Sequence, residues 1–203
     1  MNYTVTDIFP IPIYKGKVSV TDQEMEYINI QEKRNSPYLN RPSNNNYILN
    51  SVELSSIREQ CQKHFDTYAT EVLGVKDCRL SITQSWINYN PTGSSHHTHY
   101  HQNSIASSVV YLTENPTDIV LFKQIDPHML APSLGKITPY NSGMYAVEIE
   151  KDDIIIFPSY MAHGVKINEN QQERRSLAIN TFYSGTLGDQ VSLTYLEINQ
   201  CAQ

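Results

Sequence analysis

Four of the chain's seven histidines stand within six residues, in Gly93-Ser94-Ser95-His96-His97-Thr98-His99-Tyr100-His101, and a fifth, His163, lies far downstream behind an apolar run. If the first segment is extended, His97, His99 and His101 share one face, because side chains alternate along a strand. Two of them can then chelate one metal ion, with a third ligand brought back by the fold. Imidazole suits iron, zinc, copper and nickel. His96 falls on the opposite face and reads as a bystander. A solvated loop with a chance excess of histidine is the bland account of the cluster, and a surface histidine that of His163. Four imidazoles in six residues within a strand-rich chain weigh toward metal.

Eleven residues past His163, the run Arg174-Arg175-Ser176-Leu177-Ala178-Ile179-Asn180 alternates, with Arg174, Ser176, Ala178 and Asn180 on one face and Leu177 and Ile179 on the other. An arginine opening such a strand can aim its fork into a barrel and grip a carboxylate in a bidentate pair, and Ser176 can add a hydrogen bond. Alone, Arg-x-Ser is a weak signal that most often marks a surface turn.

The elements that must position these groups are legible in outline. Asp7 to Tyr14 is apolar but carries Pro10 and Pro12, so an edge strand or an extended arm is expected there. Thr21-Asp22-Gln23-Glu24 is a capping-box pattern that opens a short helix to about Glu32. Asn35 to Asn50 is rich in Asn, Pro and Ser and reads as a long loop. From Val52 to Leu73, Leu54, Ile57, Cys61, Phe65, Tyr68 and Val72 recur at helical spacing, and Gly74 stands where a left-handed cap belongs. Thereafter the period falls to two or to short apolar runs, predicting strands over 80–89, 104–112, 119–122, 143–149, 154–157, 165–167, 176–183 and 191–198. Pro158 ends the fifth of these before a loop that carries His163. Helices followed by about eight strands predict an α+β, mainly β chain whose core is an antiparallel sandwich or barrel, most naturally a jelly roll.

A length of 203 residues suits one domain, here 1–203, with an arm and helices over 1–78 and the strand-rich core over 79–203. Lys and Arg number 15 against 21 Asp and Glu, a net charge of −6, so no overall basic field exists to hold nucleic acid. Cys61, Cys78 and Cys201 are odd in number and lack a Cys-x-x-Cys pair, which points to reduced thiols in a cytoplasmic protein. The strongest apolar run, Ile154-Ile155-Ile156-Phe157, is too short to span a bilayer, and no leader pattern opens the sequence, so no membrane association is expected.

At this point the chain resembles the iron(II)- and 2-oxoglutarate-dependent oxygenases, and most closely an oxygenase family of bacteria and marine phages. The residues that carry the likeness are Phe9-Pro10-Ile11-Pro12, Trp86-Ile87-Asn88, His99-Tyr100-His101-Gln102-Asn103-Ser104, Ser107-Ser108, Tyr111-Leu112, Phe157-Pro158-Ser159, His163, Arg174-Arg175-Ser176 and Asn180. They run in order across nearly the whole chain, which is far more specific than any one motif. The resemblance implies a double-stranded β-helix with the N-terminal helices packed on the barrel. It implies His99 as first iron ligand, His163 as distal ligand, and Arg174, assisted by Ser176, on the far carboxylate of 2-oxoglutarate. Dioxygen and a small-molecule or peptidyl substrate would be the partners, with hydroxylation as the default outcome and succinate and CO2 as co-products.

One departure matters. The superfamily's second ligand is Asp or Glu two residues after the first histidine, where this chain has His101, and no acidic residue occurs between Asp77 and Glu114. The reading is therefore a neutral triad of His99, His101 and His163 holding Fe(II), with His97 as the substitute for either of the first two. Ser108 also stands where the family pattern has Gly. Two rival readings share the barrel. Gly93, His99 and His101 fit the opening of a cupin metal motif, in which Arg174 has no prescribed role, and the missing carboxylate leaves room for a non-catalytic metal-binding module.

The substrate does not follow from these residues. The loop 35–50 and the insert 123–141, with Tyr38, Tyr47 and Tyr140, could rim the mouth. A homodimer would follow if the terminal strand at 191–198 crossed to a second copy.

Overall fold

Two antiparallel sheets face each other, and the strand that opens the way between them, β10 (Arg174–Leu187), runs down the middle of the larger one. The structure, a computed structural model, describes residues 1–35, 40–123 and 132–199. Tyr38 and Cys201, singled out in the sequence, and residues 124–131 of the insert lie outside those residues. In chain order the strands are β1 (Tyr14–Lys17), β2 (Arg41–Pro42), β3 (Cys78–Asn90), β4 (His96–His99), β5 (Ala106–Tyr111), β6 (Ile119–Phe122), β7 (Met144–Val147), β8 (Asp153–Pro158), β9 (Ala162–Val165), β10 and β11 (Leu196–Ile198). The helices are α1 (Asp22–Asn29) and α2 (Ser55–Thr67). The larger sheet has the order β1-β8-β5-β10-β3-β2, with β11 also on β10, and the smaller has β4-β9-β6-β7.

Strand β8 shows why this arrangement holds together. Its apolar residues run without a break because both of its faces are covered: Ile154 and Ile156 join a cluster with Ile57, Cys61 and Phe65 of α2 and Leu80 and Ile87 of β3. Ile155 and Phe157 point the other way, into a second cluster with Tyr111, Ile119, Leu121, Val147 and Met161 between the sheets. Burying a side chain of this size stabilises the fold by roughly 1.5–3 kcal/mol before entropy is counted. The two-period alternation thus sorts one strand's side chains into two cores.

The capping box opens α1 as expected: the Thr21 amide donates to Glu24 Oε2 at 2.7 Å, and Thr21 Oγ1 accepts from the Glu24 amide at 3.3 Å. The second helix differs from its expected span. A 3-10 turn over Val52–Leu54 precedes it, and a π turn over Tyr68–Val72 follows it, with Gly74 at φ +65° beyond. The wider turn buries Tyr68 and Ala69 and leaves Val72 at the surface, which a 3.6-residue period does not foresee. Of the segment 35–50, residues 40–50 are more ordered than their composition suggests. Strand β2 pairs with β3, and a 3-10 turn over Ile48–Asn50 buries Ile48 and Leu49, because two adjacent apolar residues amid the asparagines reach the core.

Three strand boundaries also move. The expected strand at 165–167 is β9, three residues earlier, so His163 is on a strand and not in a loop. The expected strand at 191–198 shrinks to Leu196–Ile198, with Val191 and Leu193 exposed, and it pairs with β10 of its own chain. The two prolines keep residues 7–13 outside any strand, and β1 begins at Tyr14 as the edge strand beside β8. Among the described residues no helix is long and apolar enough to cross a membrane.

Candidate metal centre

Pairing of β4 with β9 sets His99 opposite His163. The two rings lie 4.4 Å apart between centroids, and His101, just past the end of β4, brings its ring to 5.2 Å from His99 and 5.0 Å from His163. One ring nitrogen from each of the three falls within 4.8 Å of the others. The strict alternation expected for 97, 99 and 101 does not hold, because the β4–β9 register shifts between His96 and His99. His101 is held instead by its own amide, which donates to the Ser159 carbonyl at 3.0 Å. His97 is exposed and outside the three-histidine group. His96, expected as a bystander, stacks on His99 at 4.4 Å and lines the cavity.

Each of the three rings has its Nδ1 on an oxygen acceptor. His99 Nδ1 lies 2.8 Å from the His97 carbonyl, His163 Nδ1 3.0 Å from that of Met161, and His101 Nδ1 2.5 Å from Asn180 Oδ1. A carbonyl only accepts, so Nδ1 carries the proton and the Nε2 lone pair is free to face inward. Asn180 Oδ1 also accepts from Ser107 Oγ at 2.9 Å, and Ser107 continues to Ser159 and then Ser104 at 2.7 Å each. Burial lowers the pKa of all four cavity histidines, pushing His96 and His163 down to about 3, so the rings are neutral at pH 7.

Deeper in the same cavity is Arg174, 4 % exposed, opposite Asn90 in the β10–β3 register. Ser176 lies between Asn88 of β3 and Tyr111 of β5, and all of these line the cavity with Trp86. Among the described residues Arg174 has no acidic partner; its guanidinium donates to the Lys166 carbonyl at 3.5 Å. Burial lowers its pKa, and the neighbouring Tyr111 acts in the opposite direction. Asn88 Oδ1, Asn90 Oδ1 and the Tyr111 hydroxyl are buried without a hydrogen-bond partner. Uncompensated buried polar groups are rare in folded proteins and cost about 1–3 kcal/mol each. Asn90 was not singled out in the sequence, although it sits two and four residues after Asn88 and Trp86 on the same face of one strand.

Residues 84–180 match the model of a family described as "Putative 2OG-Fe(II) oxygenase". That segment, just under half of the chain, is similar to the 2OG-Fe(II) oxygenases. Among solved structures, a Pseudomonas putida prolyl-4-hydroxylase is 13 % identical, with a TM-score of 0.54 over 84 % of this chain and 92 % of its own. HygX from Streptomyces hygroscopicus, solved with nickel, 2-oxoglutarate and hygromycin B bound, is 11 % identical, with a TM-score of 0.53 over 85 % of this chain and 82 % of its own. SnoK, the non-heme alpha ketoglutarate dependent carbocyclase of nogalamycin biosynthesis, is 12 % identical, with a TM-score of 0.59 over 84 % and 80 %. At these identities the likeness is one of fold, the double-stranded β-helix. No curated protein matches.

The donor set fits the metal of the family that this segment resembles. His99 Nε2 and His101 Nε2 are 3.2 Å apart. With both Nδ1 atoms protonated, each Nε2 offers a lone pair and neither can donate to the other. A cation between them turns that repulsion into coordination, so His99, His101 and His163 can hold iron.

Proposed function

We propose that the protein is an Fe(II)- and 2-oxoglutarate-dependent dioxygenase in which His99, His101 and His163 are the metal ligands. Arg174, with Ser176 beside it, grips the far carboxylate of the co-substrate, and residues 1–203 act as one such domain. The observation that carries the reading is the buried guanidinium of Arg174, without an acidic partner among the described residues, in the cavity onto which three histidines converge.

Each residue's part follows from its surroundings. The carbonyls of His97 and Met161 and the Asn180 amide hold protons on Nδ1 and so keep every Nε2 available. Arg174 presents a planar fork to a carboxylate, and its burial strengthens that pairing by excluding water. Ser176, Tyr111 and Asn90 surround the fork with further hydrogen-bonding groups. When bound, iron(II) supplies oxygen activation, coupling decarboxylation of the 2-oxoacid to succinate with oxidation of a substrate C–H bond. Three imidazoles carry no charge, so the positive centre relies on the anionic co-substrate for compensation where a carboxylate ligand would supply part of it.

The test is an anaerobic titration with Fe(II) and then 2-oxoglutarate, followed by the visible charge-transfer absorption of the chelated complex. The band is expected in the wild type and absent in Arg174→Leu and His101→Ala. Iron binding with no band in the wild type would overturn the 2-oxoglutarate reading in favour of a metal barrel of another kind. Loss of metal on His97→Ala but not on His101→Ala would move the second ligand.

A further inference from the structure

Beside His96, His99 and His101 the cavity opens into a mouth of about 290 Å³ that these histidines share with Asn40, Trp86, Asn88, Gln102 and Asn180, and whose lining among the described residues has no Lys, Arg, Asp or Glu. Two of these residues are more than nine-tenths buried and leave an acceptor idle: Asn40, 7 % exposed, and Asn88, 5 % exposed, each have a side-chain oxygen with no hydrogen-bond partner. They come from different parts of the chain. Asn40 immediately precedes β2, and the pairing of β2 with β3 brings it to the same mouth as Asn88. Trp86, half-buried and two residues before Asn88 on β3, sets its indole 5.6 Å from the His101 ring and forms an aromatic wall.

These features select by charge, shape and hydrogen bonding. In the metal-free protein an ion entering the mouth would lose water and meet no charged side chain in the lining, which is costly. A flat group can lie along the indole. Two idle side-chain oxygens call for N–H donors, and a carboxamide NH2 has two, while its own oxygen lets it pair equally well if either asparagine amide is turned. We propose that the mouth recognises an uncharged, planar carboxamide group on the substrate, held by Asn40 and Asn88 against Trp86. This deepens the oxygenase reading by naming the substrate class of the same site.

Trp86 is the chain's only tryptophan, so its fluorescence reports on the mouth directly. The experiment titrates the metal-free protein with benzamide, benzoate and benzamidinium, three probes of one shape and three charges. Benzamide is expected to change the emission saturably and to bind at least about tenfold more tightly than either ion, the size of one well-made hydrogen-bond difference. Asn40→Leu should weaken benzamide by on the order of tenfold while leaving the melting temperature unchanged or raised, because an idle buried amide contributes nothing to the fold. A melting temperature that falls instead would make Asn40 structural and overturn its role. N-benzoylglycinamide, the same group on a peptide stub, separates two sources of the chemistry: tighter binding than benzamide supports a peptidyl carboxamide, weaker binding a free one. Equal binding of an ion, no saturable change with benzamide, or wild-type affinity in Asn40→Leu would each overturn the proposal. No iron or 2-oxoglutarate is present, so benzamide binding without the charge-transfer band would sink the oxygenase reading alone, and the band without benzamide binding would sink this one alone.

Discussion

Asp153 and Arg174 are buried charges at the starts of two strands of one sheet, and they are satisfied in opposite ways. Asp153 has no exposed side-chain surface; Lys15 and Lys17 reach its two oxygens at 2.9 Å each, and the Glu150 amide donates to it at 2.7 Å. Arg174 is nearly as buried, yet among the described residues no acid meets it, and unpaired Asn90 and Tyr111 line the same cavity. Two ion pairs, that of Lys17 standing in for a hydrogen bond to Oδ1, neutralise the carboxylate and clamp the edge strand β1 onto β8. An open set of partners costs stability, and that cost is offset only when something binds. The first arrangement is architecture, and the second is what the proposed co-substrate site requires.

Substitutions should separate the two. Arg174→Leu is expected to lower 2-oxoglutarate affinity by about 100-fold or more, as for loss of a desolvated charged pair, with no loss of melting temperature. A calorimetric titration beside a thermal melt checks both, and a large fall in melting temperature would erase the contrast with Asp153. Asn180→Ala should weaken Fe(II) binding by about 10–100-fold, the usual cost of losing a ligand's orienting partner, as read by metal titration. The complementary change, Asp153→Asn, should leave iron and co-substrate binding intact and cost about 2 kcal/mol, in the range of hydrogen bonds to charged groups. That lowers the melting temperature by about 4–8 °C for a chain of this size.

Acid should sharpen the comparison further. Burial alone would raise the Asp153 carboxyl, but the hydrogen bonds from Lys15 and Lys17 outweigh it and hold the pKa below 3.8. The stability it contributes is therefore present above pH 3.8 and lost as pH falls through its folded value. His96 and His163 titrate near 3 in the fold against 6.5 when exposed, so the unfolded chain takes up protons first as pH falls. Metal-free protein should lose stability steadily from about pH 6.5 downward, and Asp153→Asn should flatten only the portion below about pH 4. Denaturant unfolding at several pH values tests this; an unchanged profile in Asp153→Asn would remove the clamp from the account.

Much of the frame was legible because it depends on local rules. The capping box at Thr21, the cap at Gly74, the unbroken apolar run of β8 and the alternation of β10 each follow from neighbouring residues and one period. The misreadings arose where a non-local contact overrode that period. The π turn after α2 follows burial of Tyr68, the order within 40–50 follows its pairing with β3, and β9 lies earlier than its composition suggests because β4 and β6 pair with it there. The site divides the same way. His99, His101, His163, Arg174 and Ser176 could be named as candidates from the chain, and they line one cavity, whereas the stacking of His96 on His99 and the presence of Asn90 and Asn40 along that cavity and its mouth could not be foreseen.

By itself the sequence determined the kinds of chemistry within reach: clustered imidazoles with no carboxylate among them, an arginine and a serine on one strand face, and apolar patterns that must pack as sheets. Tertiary structure alone decided which groups meet. Strand register places His99 against His163, a shift in that register and the Ser159 carbonyl turn His101 toward them, and among the described residues no acid was brought to Arg174. Register is settled by the summed burial of whole strands, so no single residue near the site could have announced it.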